Sequence, residues 1–240
     1  MKKRLKIILV ILIFIILAGY GINELSKSRT FQLIGDPVTQ IETEDKVVAL
    51  TFDDGPGPNA DEILSILDEH NVKGTFYLVG EAIEQNKEAA RNIVDAGHEI
   101  GNHSYTHKRM IFKSYSFVEE EIEKTDGLIR EIGYEEEITF RPPYGRKLVT
   151  LPLYLSNHDR QAIMWNLEPD FMPDISDDPE AIANYVSENI EPGSIVLLHV
   201  MYEHRDASLN SVDGMITQLK KKGYKFVTVS ELKEKRDRRK

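Results

Sequence analysis

Val-Val-Ala-Leu-Thr-Phe-Asp-Asp-Gly-Pro, residues 47–56, is a run of buried-strand character that ends in two adjacent carboxylates. A hydrolytic metal site needs one carboxylate to bind the ion and a second, unbound, to take a proton from water. Asp53 and Asp54 can divide that work. Neighbouring side chains on a strand point to opposite faces, so both acids serve one site only if the chain turns there, and Gly55-Pro56 is the expected turn. Asp-Gly-Pro is equally ordinary turn chemistry, and the surrounding chain has to decide between the two readings.

Outward from this run, short apolar stretches alternate with helical patterns. The stretches are 47–52, 74–79, 99–102, 138–141, 162–165, 194–198 and 225–229. Between them Ile63, Leu64 and Leu67 recur at helical spacing, Ser116 and Glu119 form a capping box for a helix to about Ile132, and Asp178-Pro179 opens another to about Ile190. Seven strands alternating with helices predict an α/β fold with a parallel sheet closed, or nearly closed, as a TIM-like barrel. Chemistry in such barrels sits at the C-terminal ends of the strands. This domain covers residues 47–232. Residues 27–46 read as a linker with a short hairpin, 31–34 against 38–41 around Gly35-Asp36.

The 240 residues carry a net charge of −10, yet both ends are basic. Lys2, Lys3, Arg4 and Lys6 open the chain, and residues 233–240 form a basic tail; the middle carries about −18. So acidic a body argues against nucleic acid as a substrate, because phosphate binding demands a basic face. No protein partner is inferred. The early cations precede an unbroken apolar stretch from Ile7 to about Ile22, the layout of an export signal or a membrane anchor within residues 1–26. No small-x-small cleavage site ending in Ala follows it, which favours an anchor. The positive-inside rule then places the domain outside the cytoplasm, anchored, or secreted if the segment is cleaved. With no cysteine in the chain, any metal must be held by His, Asp or Glu.

Titratable groups follow the predicted strands. Asp53 and Asp54 come after the first, His103 and His107 after the third, Arg141 and Tyr144 after the fourth, and His199 after the sixth. The spacing of His103 and His107 puts two imidazoles on one face of a helical turn, suited to a single divalent ion. Arg141 is placed to pair with a carboxylate and keep it ionised. His199 sits where a buried strand meets solvent; taken alone it reads equally as a satisfied core histidine.

In order, Thr51-Phe-Asp-Asp-Gly55, His103-Ser-x-x-His107, Arg141-Pro-Pro-Tyr144 and Leu197-Leu-His199 resemble the motifs of the polysaccharide deacetylase (NodB-homology) family of carbohydrate esterases. The resemblance spans residues 47–232 and implies a distorted (β/α)7 barrel that removes acetyl groups from sugar amides or esters. It implies Asp53 as catalytic base, with Asp54, His103 and His107 as ligands of Zn2+ or of another divalent ion such as Co2+. His199 is then the catalytic acid, Arg141 the partner that orients Asp53, and Tyr144 a substrate contact. The acetyl methyl is expected against Tyr144, Leu197 and Phe171. The family's Asp-x-x-Asp-Trp motif is degraded here: matched on Asp170, it has Leu167 at the first acidic position and Phe171 in place of Trp. Asp170 is the expected support of His199. The implied substrate is an N-acetylglucosamine-containing glycan, peptidoglycan or chitin-like. An O-acetylated xylan-type polymer or a silent glycan-binding module are the competing readings.

Overall fold

Residues 47–55 form the central strand, β1 (Val47–Gly55), of a parallel sheet in the computed structural model, which describes residues 2–237. β1 pairs with β2 (Thr75–Leu78) on one side and with β5 (Ser194–Leu198) on the other. β3 (Glu99–Asn102) and β4 (Thr139–Phe140) extend the sheet beyond β2, and β6 (Lys225–Phe226) pairs with the start of β1. Both faces of β1 are buried, as befits a parallel strand between layers. Val48, Leu50 and Phe52 join the larger core, with Ile63, Leu67 and Val212 of the surrounding helices. Ala49 faces a second core with Tyr77, Trp165, Ile195 and Leu197. Thr51 and Asp53 follow Ala49 on that inner side by the two-residue period. Burying a side chain such as Leu50 or Phe52 contributes about 1.5–3 kcal/mol each, so the register is strongly specified.

Helices α1 (Lys2–Lys27), α2 (Ala60–Glu69), α3 (Gly80–Gln85), α4 (Lys87–Asp95), α5 (Tyr115–Glu131), α6 (Thr150–Asn157), α7 (Pro179–Asn189), α8 (Asp206–Lys221) and α9 (Val229–Asp237) complete the described chain. α1 is long and apolar enough to cross a membrane, and its apolar side chains are exposed. The Asp178 carboxylate caps α7 by accepting from the Glu180 and Ala181 N–H groups, as the Asp-Pro pair predicts. α5 starts earlier than expected. Its cap is Ser114, whose hydroxyl accepts from the Phe117 N–H, so Ser116 and Glu119 lie inside the helix.

The fifth expected strand, 162–165, is reduced to single bridges, Ala162 to Phe140 and Ile163 to Val38, followed by Leu167 to Val196. These close the ring between β4 and β5. The reason for the distortion lies in the linker. Val38 donates to the Ala162 carbonyl and accepts from the Met164 N–H, and Ile41 donates to the Gly193 carbonyl, so residues 38–41 wedge into the seam. The expected pairing of 31–34 with 38–41 does not form. The basic run is also not a free tail as far as it is described: residues 233–237 continue α9, with Lys233 paired to Glu137 and Lys235 to Asp45. Residues 238–240 lie outside the described chain.

Candidate active site

β1 carries both acids through Gly55, and its register against β2 slips between Asp53 and Gly55. Asp54 is the extra residue of a bulge, with φ at +67°. The expected Gly-Pro turn is therefore not what aims the acids. The bulge does, turning Asp54 toward the side Asp53 already faces, at a left-handed position that aspartate tolerates better than most side chains.

Asp53 is buried and held by a fully buried Arg141. The Arg141 Nη1 donates to Asp53 Oδ1 at 2.6 Å and to Thr51 Oγ1 at 2.8 Å. Nε and Nη2 donate to the carbonyls of Ile163 and Met164, and the guanidinium stacks on Tyr77 at 4.0 Å. A buried cation so fully satisfied is tolerable; removing either partner of such a pair costs about 3–5 kcal/mol. Asp53 Oδ2 is left facing His103 Nε2 at 3.5 Å.

His103 continues from β3, and its Nδ1 lies 2.8 Å from the Arg141 carbonyl. A carbonyl only accepts, so Nδ1 carries the proton and Nε2 presents a lone pair. The His103–His107 segment is a loop and not the expected helical turn, with Ser104 and His107 both at positive φ. The imidazoles still converge. His103 Nε2 and His107 Nε2 lie 3.4 and 3.0 Å from Asp54 Oδ1, and one ligand atom from each of the three residues falls within 4.8 Å of the others. Among the described residues Asp54 Oδ1 is buried yet accepts no hydrogen bond. Two imidazole nitrogens and one orphaned carboxylate oxygen, three ligand atoms in reach of one another, fit a divalent ion of borderline character. Burial pushes the Asp54 carboxyl up; when no ion lies between them, His103 and His107 protonated at Nε2 outweigh it and hold the carboxyl below the usual carboxylate range.

The sequence reading missed what shapes that loop. Glu121 of α5 is buried, and its carboxylate accepts from the N–H groups of Tyr105 and Thr106 and from the Thr106 hydroxyl. Asn102 accepts from the Ser104 N–H, and Ser104 Oγ accepts from the His107 N–H. Glu121 stands in an acidic helical pattern, indistinguishable in sequence from a solvated face.

Across the cleft, His199 leaves β5 with Asp170 behind it. Asp170 Oδ2 accepts from the His199 N–H at 2.6 Å and from Ser208 Oγ, and lies 3.3 Å from His199 Nδ1. Burial opposes a charge on His199, but the Asp170 carboxylate more than offsets it and raises the imidazole pKa above its ordinary value. His199 Nε2 faces inward, 3.9 Å from Asp54 Oδ2. Phe171 meets the His199 ring edge-on, and Tyr144, at φ +57°, lies against His107.

These groups line one open cavity of about 630 Å3, which takes in Asp53, Asp54, His103, His107, His199, Tyr144, Leu197 and Phe171. Arg141 and Asp170 stand behind its wall. Trp165, Glu168, Tyr202 and Arg205 also line it, together with Lys27 and Arg29 from the segment expected to be a tether. Trp165 packs under Gly145, where an added Cβ would come within 3.0 Å of the indole.

The family model for polysaccharide deacetylase matches residues 40–163, more than half of the chain. This chain belongs to the polysaccharide deacetylase family. A peptidoglycan-N-acetylglucosamine deacetylase of Bacillus cereus is 32% identical over 195 residues, 80% of this chain and 91% of that one. The bifunctional xylanase/deacetylase of Pseudobutyrivibrio xylanivorans is 34% identical over 79% of this chain, which spans only 31% of that larger protein. A solved peptidoglycan N-acetylglucosamine deacetylase superposes with a TM-score of 0.75 at 32% identity, covering 81% of this chain and 91% of that one. A CE4 family pseudoenzyme from Bacillus anthracis superposes with a TM-score of 0.74, also at 32% identity, over 83% and 69%. The polysaccharide deacetylase model ends before Asp170 and His199, so that half of the site rests on the geometry above.

Proposed function

We propose that this protein is a metal-dependent N-deacetylase of N-acetylglucosamine-containing polysaccharide, with peptidoglycan as its substrate, held on the outer face of the membrane by α1. The observation that supports it most is the orphaned Asp54 Oδ1 between two imidazoles, flanked by an Arg-held carboxylate and faced by an Asp-backed histidine in one cleft. Asp54, His103 and His107 would hold the ion, with zinc favoured and cobalt(2+) an alternative. When bound, such an ion polarises a carbonyl and acidifies water.

Asp53 takes the proton of the attacking water on Oδ2, the oxygen that Arg141 leaves free. The Tyr144 N–H, in a left-handed turn and with no backbone acceptor outside that turn among the described residues, donates to the oxyanion that develops as the acetyl carbon becomes tetrahedral. His199 protonates the departing amine from Nε2 while Asp170 fixes the ring through Nδ1. Nitrogen leaves poorly unless protonated, so this acid matters most for an amide. Tyr144, Leu197 and Phe171 receive the acetyl methyl and exclude water around it.

The test is acetate release from N-acetylglucosamine oligomers, peptidoglycan and acetylated xylan, after chelation and again after zinc is restored. Zinc-dependent release from the first two supports the reading. Release from xylan alone makes the protein an O-deacetylase, and silence on all three with zinc bound makes it a glycan-binding pseudoenzyme.

A further inference from the structure

The last turn of α1 and the residues just after it do not hang free. Ser26 is fully buried, its carbonyl accepts from the Lys147 N–H at 2.9 Å, and its hydroxyl accepts from Arg146 at 2.7 Å. Arg146 also donates to the Asn23 side chain and carbonyl, and the buried Lys147 ammonium donates to the Ser28 carbonyl. Arg146 and Lys147 directly follow the Pro143–Gly145 turn that presents Tyr144. Beyond them, Arg29 Nη2 lies 2.6 Å from Glu168 Oε2, the same oxygen that accepts from Trp165 Nε1 at 2.9 Å. The Arg29 guanidinium also lies over the Trp165 ring at 4.8 Å, while Arg141, which holds Asp53, lies 5.5 Å from that ring.

From this we infer that Asn23–Arg29 is a wall of the catalytic cleft and stays on the mature enzyme, with Arg29 a positioning residue that fixes Trp165 and Glu168 beneath the substrate. The inference rests on the deacetylase reading of the same site. Two different clasps carry it: a backbone-level one at Ser26 and Ser28, and a side-chain one at Arg29. Removing the segment as an export signal would take the Ser28 carbonyl from the Lys147 ammonium and the Arg29 cation from the partly buried Glu168, so both charges would lose their partners at the cleft. The wall also sets where the enzyme works. Lys27 lines the cleft only five residues after Ile22, the last exposed apolar residue of α1, a rise of about 7 Å along a helix. The cleft is thereby held at the membrane surface and not on a long tether.

The experiment uses the full chain in detergent micelles and compares wild type with Arg29→Ala, Arg29→Lys and Glu168→Gln on N-acetylglucosamine oligomers. Wild-type acetate release is measured first, since its absence would overturn the deacetylase reading and not this one. Arg29→Ala and Glu168→Gln are each expected to raise KM about tenfold with kcat within about threefold, the signature of lost ground-state positioning. Zinc retention against a chelator stays unchanged, and Arg29→Lys recovers at least half of the lost affinity. A wild-type KM in both Arg29→Ala and Glu168→Gln would overturn the inference. So would an active protein recovered from membranes whose mass shows that it begins after Arg29. Should Arg29→Ala fail to fold, Glu168→Gln carries the kinetic test alone.

Discussion

Asp53 and Asp54 are chemically identical neighbours whose surroundings give them different work. Asp53 has one oxygen committed to Arg141 and one open, whereas Asp54 Oδ1 sits between two imidazole nitrogens. Asp53→Asn should therefore lower acetate release by about 10²–10⁴-fold while zinc stays bound, and His103→Ala should lose both. Full turnover in either variant would break the assignment. Glu121 gives a sharper test because it touches no ligand. Glu121→Gln places an amide where three donors now converge, and zinc affinity, measured by chelator competition, should fall about 10–100-fold while the fold persists. The residue types of the site and their order were legible, because Asp, His and Arg at strand ends are rare without a use. Glu121 was not, since its role depends on a loop sixteen residues away along the chain coming to rest on its helix.

Elements were legible where burial dictates periodicity and illegible where single hydrogen bonds decide. β1, β2, β3 and β5 sit where their apolar runs place them, because both faces are covered and little else satisfies those side chains. The strand expected at 162–165 has the same composition but shares its backbone partners with Val38, which no local pattern reports. The cap of α5 is a similar case: the sequence pattern pointed to Ser116, and the bond from the Phe117 N–H places the cap at Ser114. Ser114→Ala should cost about 1 kcal/mol in denaturant unfolding, and Ser116→Ala should stay within about 0.5 kcal/mol. Equal losses at the two positions would return the cap to Ser116.

At the scale of the molecule, stability carries a pH signature that the site does not explain. His98 is buried against Phe76, and its Nδ1 accepts from the Gly74 N–H, which requires a neutral ring. Burial, helped by Lys73, pushes its pKa down to about 4 from 6.5. Between those values the unfolded chain binds a proton that the folded one does not, so stability rises with pH. The contribution is complete above about pH 6.5 and is lost as pH falls to about 4, on the order of 3 kcal/mol in all. In chelated protein, urea midpoints across this range should fall as pH is lowered for wild type and fall less for His98→Asn, whose amide oxygen can still accept from Gly74. Parallel slopes would remove His98 as the cause.

The sequence by itself determined the alternation of buried strands and helices, the membrane-compatible apolar segment, and the set of acids and histidines at strand ends, because periodicity and residue chemistry are local properties. Tertiary structure decided the rest: the bulge that brings Asp54 beside Asp53, the Arg141 carbonyl that sets the His103 tautomer, and the docking of residues 23–29 on the cleft. Each depends on backbone groups far apart in the chain meeting at hydrogen-bond distance, and a buried donor or acceptor finds its partner only once the whole barrel has closed.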